Sequence, residues 1–196
     1  MAKPIKISHI VLQTNDPKAL QAWYCTVLDG EMVHDAGVIS FMSYDDEHHR
    51  VAFITPGALE KRQPGENGPD DFRAGRETGL HHIAFTLKDL GDLLETYARL
   101  KDKGIRPFWC INHGVTTSMY FRDPDNNQVE LLIDNFATAR EGLAFMKSEA
   151  FARNPIGVEY DPDDWLKKVR AGTPASELLP RRIHEPVSPV RGSFAS

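Results

Sequence analysis

Two stretches, one at the start of each half of the chain, decide the fold. Residues 7–30 read ISHIVLQTNDPKALQAWYCTVLDG, and residues 80–104 read LHHIAFTLKDLGDLLETYARLKDKG. Each begins with an apolar, β-branched run typical of a strand and continues into apolar residues at helical spacing. Asp16, which is followed by Pro17, and Asp89 are predicted helix N-caps. Both stretches therefore predict a strand followed by a helix.

The two stretches are related by an offset of 73 residues, which places His9 on His82 (82 − 9 = 73). The same offset aligns Ile10 with Ile83, Asp16 with Asp89, Leu20 with Leu93 and Tyr24 with Tyr97. Glycine follows each predicted helix, at 30 and 104, and three short strands follow each glycine. These strands are predicted around residues 31–33, 38–44 and 50–55, and around 105–109, 117–122 and 128–133. The chain is therefore predicted to be an internal duplication of a βαβββ module.

The predicted fold class is α+β, with two βαβββ modules forming a curved mixed sheet around a metal site. The modules occupy about residues 5–56 and 79–135, and together they form a domain over 5–135. A Gly-, Pro- and charge-rich segment between them is interpreted as a linker. Residues 136–196 form a C-terminal helical extension and tail.

The extension has a weaker pattern than the modules. A helix is predicted within 138–151 and another from Asp161, with Pro162 in its first turn. Beyond Ala171 the chain is expected to be extended or disordered, and to cover a sheet edge or a neighbouring subunit. Phe145 and Trp165 leave both a homo-oligomer and a monomer open.

The composition narrows the classes of function. The 196 residues are 41% hydrophobic and 26% charged, typical of a soluble globular protein. A formal net charge of −5 provides no basic field for a phosphate backbone, so no nucleic-acid partner is expected. No apolar run reaches the length of a membrane span, and the start MAKPIKISHI lacks the apolar core of a secretory signal. No membrane partner is expected, and the predicted location is the cytoplasm.

Three residues are predicted metal ligands. His9 and His82 occupy equivalent positions in the duplication, which favours His82 over its neighbour His81. Glu130 lies in the otherwise apolar strand QVELLI, where an unpaired buried carboxylate would cost several kcal/mol. Two imidazoles and one carboxylate form the set suited to non-haem Fe(II), and Mn(II) accepts the same set. The alternative is that Glu130 faces solvent on an edge strand.

A fourth protein ligand is not expected. An offset of about 78 residues places Ala52, in RVAFIT, at the point that matches Glu130. Because alanine cannot bind a metal, the predicted site has three protein ligands and open positions for substrate and oxygen.

The chain resembles the vicinal oxygen chelate superfamily, and within it the type I extradiol dioxygenases. The resemblance is carried by SHIVLQTNDPKALQAWYCTVLDG, HHRVAF, GLHHIAFTLKDL and NHGVTTSMYFRDPDNNQVEL. It implies that His49 acts as acid or base beside the oxygen site, that His113 lies near the substrate, and that Tyr120 hydrogen-bonds a catecholate oxygen. Many such enzymes carry a further amino-terminal domain, whereas this chain has room for one pair of modules. The resemblance assigns no role to His34, which is interpreted as a surface residue.

The resemblance implies an Fe(II) enzyme that inserts both atoms of O2 into a small aromatic diol, such as 2,3-dihydroxybiphenyl or a related catechol. The ring would open beside the two hydroxyls rather than between them. One alternative is a metal-dependent lyase, isomerase or epimerase on the same fold. Another is a metal-free resistance protein that binds a small molecule.

Overall fold

The computed structural model of the chain describes residues 3–59, 79–181, 186–189 and 191. It contains two compact units. The first combines the amino-terminal residues with Asp123–Asn126, and the second contains the other described residues from 79 onward. Most of the predicted linker, residues 60–78, lies outside the described residues.

The first unit contains one helix and a four-stranded mixed sheet. Its elements are β1 (Ile10–Gln13), α1 (Pro17–Leu28), β2 (Glu31–Asp35), β3 (Ile39–Ser43) and β4 (Val51–Ile54). The strand order is β1-β4-β3-β2, with β1 parallel to β4 and the other neighbours antiparallel. The parallel pair is made by the crossover through α1, which places the first and last strands of the module side by side.

Helix α1 begins as predicted and ends differently. The Asp16 side chain accepts a hydrogen bond from the Ala19 amide at 3.1 Å, and Pro17 occupies the first turn. The residue that ends the helix in the left-handed conformation is Asp29 (φ 54°), not Gly30. Gly30 is required for a different reason, since a Cβ there would lie 2.6 Å from the carbonyl oxygen of Ser43.

The second unit repeats this arrangement. Its first elements are β5 (His82–Thr86), α2 (Leu90–Asp102), β6 (Trp109–Asn112), β7 (Thr116–Arg122) and β8 (Gln128–Asp134). The strand order β5-β8-β7-β6 reproduces that of the first unit, again with the first and last strands parallel. Asp89 caps α2 by accepting from the Asp92 amide at 3.0 Å. The predicted fold class, α+β with two βαβββ modules, is confirmed.

The strand registers show which residues of the two units correspond. Val11 of β1 pairs with Ala52, and Ala84 of β5 pairs with Glu130. Since Ala84 lies 73 residues after Val11, the partners Ala52 and Glu130 occupy the same place in the two sheets. The predicted correspondence is confirmed: the position of the buried carboxylate in one unit is occupied by a methyl group in the other.

Strand β6 is displaced from its predicted position. It covers Trp109–Asn112 rather than residues 105–109. Pairing with β7 sets this position, because Trp109 lies opposite Tyr120 and Asn112 opposite Thr117. Pro107, which has no amide hydrogen to donate, lies in the connection before the strand.

The extension is more structured than predicted. It forms α3 (Ala139–Met146), α4 (Glu149–Arg153), β9 (Val158–Glu159), α5 (Pro162–Arg170) and α6 (Ala175–Leu178). The single helix predicted within 138–151 is wrong, since Ser148 starts a new helix by accepting from the Phe151 amide. Asp161 caps α5 as predicted. Beyond Ala171, α6 contradicts the expectation of an extended or disordered chain at Ala175–Leu178. Residues 186–189 form neither helix nor strand, although Ser188 is buried, and residues 182–185, 190 and 192–196 of the predicted tail lie outside the described residues.

Strand β9 pairs antiparallel with β6 and so lies at the edge of the second sheet. The sheet edge was predicted to be covered by the chain beyond Ala171, whereas β9 lies before that residue. None of the described helices has the length and apolar character that crossing a membrane requires. The domain boundaries, the cytoplasmic location and the oligomeric state stay predictions.

Candidate active site

Glu130 lies on an interior strand of the second sheet and is 4% exposed. It belongs to β8, between Ala84 of β5 and Tyr120 of β7. Its Oε2 atom is 3.0 Å from Nε2 of His82. Burial raises the pKa of Glu130, but hydrogen bonds, led by that with His82, outweigh burial and hold the pKa below its usual range. A charged carboxylate is therefore held inside the sheet next to an imidazole.

The structure distinguishes the two adjacent histidines of the second module. His82 is the first residue of β5 and directs Nε2 towards Glu130. Its other ring nitrogen, Nδ1, lies 2.7 Å from Nδ1 of His81. The His82 ring therefore contacts Glu130 through one nitrogen and His81 through the other.

Tyr120 extends this cluster along the same face of the sheet. Its hydroxyl hydrogen-bonds the Glu130 carboxylate, and its ring packs 5.0 Å from the ring of Trp109. The hydroxyl also lies 3.1 Å from Nε2 of His113. Burial, followed by the charge of Glu130, raises the pKa of Tyr120 far above its ordinary value, so the hydroxyl is protonated at neutral pH.

His113 lies in the turn between β6 and β7. Its Nδ1 is 2.5 Å from the backbone carbonyl of Ile156 in the extension. Burial lowers the pKa of His113, which favours the neutral imidazole. Four predicted site residues, His82, His113, Tyr120 and Glu130, are thus brought together in the second unit.

The other two predicted residues lie in the first unit. His9 immediately precedes β1, which begins at Ile10, so the prediction that His9 lies within the strand is wrong. Its ring centroid is 4.5 Å from that of His49. Burial, together with His48 and His9, lowers the pKa of His49. His34 is exposed, as expected for a surface residue.

Arg50 holds the backbone that leads to His9. Its NH1 donates to the carbonyls of Ile7 and Ser8, at 3.0 and 3.1 Å. Its other nitrogens form a bidentate pair with Asp45. The sequence did not predict this role of Arg50, because an arginine in a histidine-rich turn belongs to no residue pattern that indicates backbone contacts.

Two further contacts of the site were missed. Trp109 was placed at the end of a strand but not against Tyr120, and the Ile156 carbonyl is a backbone group with no sequence signature. Among the described residues, no group of three or more His, Cys, Asp or Glu side chains is arranged to hold a metal ion. The second unit supplies a pair, His82 and Glu130.

Known proteins resemble this chain in sequence over most of its length. A family model described as glyoxalase/bleomycin resistance protein/dioxygenase superfamily matches residues 6–131. "Biphenyl-2,3-diol 1,2-dioxygenase 2" of Rhodococcus globerulus is 46% identical over 174 residues, which cover 88% of this chain and 86% of that protein. "Biphenyl-2,3-diol 1,2-dioxygenase 3" of the same organism is 43% identical over 178 residues, which cover 90% and 88%.

The fold is also found among solved structures. The fosfomycin resistance protein FosX from Listeria monocytogenes has a TM-score of 0.52 and 20% sequence identity. The match covers 73% of this chain and 99% of that structure. At this level of identity the likeness concerns the fold alone. The family match and the two relatives place the sequence more specifically: the chain belongs to the glyoxalase/bleomycin resistance protein/dioxygenase superfamily.

Proposed function

We propose that this protein is an extradiol dioxygenase, which uses O2 to open the ring of a catechol-type diol. The names of the two relatives state the position of cleavage: the hydroxyls are on carbons 2 and 3, and the bond between carbons 1 and 2 is opened. That bond lies beside the diol rather than between its two carbons. Identity of 46% over most of both chains is the observation that carries the proposal.

The proposed metal is Fe(II), with Mn(II) as the alternative, and the proposed ligands are His9, His82 and Glu130. The donor chemistry of the second unit fits such an ion, since an imidazole nitrogen and a charged carboxylate oxygen lie 3.0 Å apart. The internal duplication, in which His9 occupies the position equivalent to His82, is the reason for proposing His9 as the third ligand. When bound, the metal would activate O2 and lower the pKa of a coordinated diol.

The chain's own residues would bind and orient the diol. Tyr120 keeps its hydroxyl proton at neutral pH and can therefore donate a hydrogen bond to a diol oxygen. His113 Nε2 lies within hydrogen-bond distance of that hydroxyl and would help to orient it. The rings of Phe108 and Trp109 pack against Tyr120, and the ring of His113 packs against Trp109, so an aromatic substrate bound at Tyr120 would lie near an aromatic cluster.

His49 is proposed to transfer a proton. Its pKa is lowered from the ordinary value of 6.5, so in most protein molecules the imidazole is unprotonated at neutral pH and can act as a base. It can accept a proton from the incoming diol and return it to the product. The resemblance assigns this acid–base role to His49, and its contact with the ring of His9 is consistent with it.

Two rival functions are less well supported. A lyase or isomerase with four protein ligands would need a donor at Ala52, the structural counterpart of Glu130. A metal-free binding protein would have no need of the predicted ligand set His9, His82 and Glu130. Neither rival has support from the two named relatives.

The test is anaerobic reconstitution with Fe(II), followed by oxygen uptake and absorbance measurements with 2,3-dihydroxybiphenyl and catechol. We expect stoichiometric oxygen uptake and a yellow ring-fission product. His9→Ala, His82→Ala and Glu130→Ala should each abolish iron retention, whereas His34→Ala should retain it. Absence of uptake with every diol, from protein that retains iron, would overturn the proposed activity. Iron retention by the three alanine variants would overturn the ligand assignment instead.

A further inference from the structure

The extension makes one unusually close approach to the strand that leads to His113. Gly157 has φ +127°, and a Cβ there would lie 2.4 Å from the carbonyl oxygen of Asn112 and 3.0 Å from Cα of His113. Neighbouring Val158 pairs with Asn112 in the sheet. No side chain larger than hydrogen fits between these two backbones. Glycine at 157 therefore lets the extension lie directly against the turn that carries His113.

This approach determines which nitrogen of His113 carries the proton. The Ile156 carbonyl lies 2.5 Å from Nδ1, and a carbonyl oxygen can only accept a hydrogen bond. Nδ1 must therefore be the protonated nitrogen. In a neutral imidazole the other nitrogen, Nε2, is then an acceptor, and it faces the Tyr120 hydroxyl at 3.1 Å.

The segment that presents this carbonyl is held at several points. The Asn154 side chain accepts from the Gly157 amide at 2.7 Å and donates to the Gly157 carbonyl at 3.1 Å. Arg181 donates to the Asn154 carbonyl at 2.8 Å, and the Ser188 amide donates to Gly157 at 2.9 Å. Because both ends of the turn are bonded, the carbonyl has little freedom to move away from His113.

We propose that Asn154–Gly157 is a positioning element that fixes the Nδ1-protonated tautomer of His113 through the Ile156 carbonyl. Asn154 and Gly157 are positioning residues, since they act on His113 and not on the substrate. The tautomer is a property of the protein without metal or substrate. Its consequence for catalysis rests on the proposed dioxygenase function.

The test is the tautomer of His113, read from the ¹⁵N chemical shifts of its ring in metal-free protein. We expect a single Nδ1-protonated form in the wild type. Gly157→Ala should displace the carbonyl and yield a mixture with the Nε2-protonated form. Asn154→Ala should act in the same direction by loosening the turn without adding bulk, so it keeps the proposal testable if the glycine variant does not fold.

Two other glycines control for backbone strain. Gly57 has φ +123° and Gly172 has φ +92°, and a Cβ at either would meet nothing within 4 Å. Gly57→Ala and Gly172→Ala therefore impose strain of the same kind without touching His113, and Gly172 also lies in the extension. Both should keep the wild-type tautomer.

With iron-loaded protein and 2,3-dihydroxybiphenyl, kcat/KM should fall about tenfold in Gly157→Ala and Asn154→Ala, because a misplaced orienting group weakens alignment of the diol. Iron content should not change. An Nε2-protonated wild type, or Gly157→Ala and Asn154→Ala variants that keep the pure Nδ1-protonated form, would overturn the proposal. If the wild type cleaves no diol, the dioxygenase function fails while the tautomer measurement still decides this inference.

Discussion

At the scale of single residues, the main feature of the candidate site is the set of hydrogen-bond donors and acceptors around the Tyr120 hydroxyl. This hydroxyl has one proton and two neighbouring acceptors, the Glu130 carboxylate and Nε2 of His113. A neutral His113 whose Nδ1 donates to Ile156 cannot also donate to Tyr120. The hydroxyl can donate to one of these two acceptors at a time, so the proposed donation to a substrate oxygen would replace one of the two bonds.

Tyr120→Phe removes this donor while keeping the ring against Trp109. We expect kcat/KM for 2,3-dihydroxybiphenyl to fall by about 100-fold, the scale of a lost hydrogen bond aimed at the reacting group. Iron content should be unchanged, because the proposed ligands remain. Steady-state oxygen uptake and iron analysis measure both quantities.

The matched control is Tyr97→Phe, which removes a tyrosine hydroxyl bonded to a carboxylate in the same unit, that of Asp163 at 3.0 Å. It should leave kcat/KM within about twofold of wild type, as expected for a substitution away from the substrate. Equal losses in the two variants would mean that Tyr120 acts only through stability.

Arg50→Lys tests how His9 is held. Lysine keeps the positive charge but cannot bond Asp45 in bidentate fashion while also donating to the carbonyls of Ile7 and Ser8. We expect Fe(II) affinity to fall about tenfold, the lower end of the range for residues that orient a metal ligand. Metal competition with a chelator measures the affinity.

Arg170→Lys provides the control for that experiment. Arg170 also forms a bidentate pair, with Glu95, but the pair joins α5 to α2 in the second unit. This variant should retain wild-type Fe(II) affinity. A similar loss in both variants would show that the effect of Arg50 is general and not exerted on His9.

At the scale of elements, the helix starts were predictable because they depend on local chemistry. Asp16 and Asp89 each bond an amide three residues ahead, so the cap is contained within four residues of sequence. The end of α1 was less predictable, since Asp29 adopts a conformation more usual for glycine. Gly30 is needed for its contact with Ser43, which belongs to a strand formed later in the chain.

Asp16→Ala and Asp89→Ala should each lower the free energy of unfolding by about 1 kcal/mol, because each leaves an amide of the first turn without its acceptor. Urea unfolding followed by circular dichroism measures the change. Asp46→Ala, at an exposed position outside any helix, serves as the comparison and should unfold as the wild type does. Unchanged unfolding of both cap variants would contradict the assigned role of the two side chains.

Strand β6 shows the limit of local patterns. Residues 105–111 are apolar apart from Arg106, so the sequence allows several positions for a short strand. Pairing decides among them: Trp109 lies opposite Tyr120, and this register also places the Trp109 ring on the candidate site. The position of β6 therefore depends on β7, which begins seven residues after the start of β6. No residue near position 105 indicates where this pairing will form.

At the scale of the whole molecule, the duplication has produced two units with the same strand order and different chemistry. The partner of Ala84 is Glu130, whereas the corresponding partner of Val11 is Ala52. The extension adds a second difference, since β9 lies only at the edge of the second sheet. The second unit therefore contains the buried carboxylate, and its turn at His113 is contacted by the extension, which lies outside the βαβββ module.

The extension provides a prediction about pH. Hydrogen bonds from Arg191 and then Ser188 hold the pKa of Glu159 in β9 below its ordinary value of 4.5. Because the folded-state pKa is the lower one, this stabilisation is complete above about pH 4.5 and is lost as the pH falls through the folded-state value.

Glu159→Gln should therefore lower the free energy of unfolding at pH 7 by about 0.5 kcal/mol, a modest value because the pair is partly exposed. At about pH 3 the difference between variant and wild type should shrink, as protonation removes the charge from the wild-type carboxylate. Urea unfolding at the two pH values measures this. A difference that stays constant or grows towards low pH would contradict the assigned ion pair.

The sequence by itself determined the repeated βαβββ modules, the helix starts, the choice of His82 over His81 as the equivalent of His9, and the correspondence of Ala52 with Glu130. These follow from patterns that recur at fixed spacing or within one helical turn. The tertiary structure decided the register of β6, the contact of Arg50 with the backbone before His9, and the proton position on His113. Those features depend on backbone groups and on residues distant in the chain. A backbone carbonyl is present at every residue, and a close approach between distant segments is not marked by any local residue pattern.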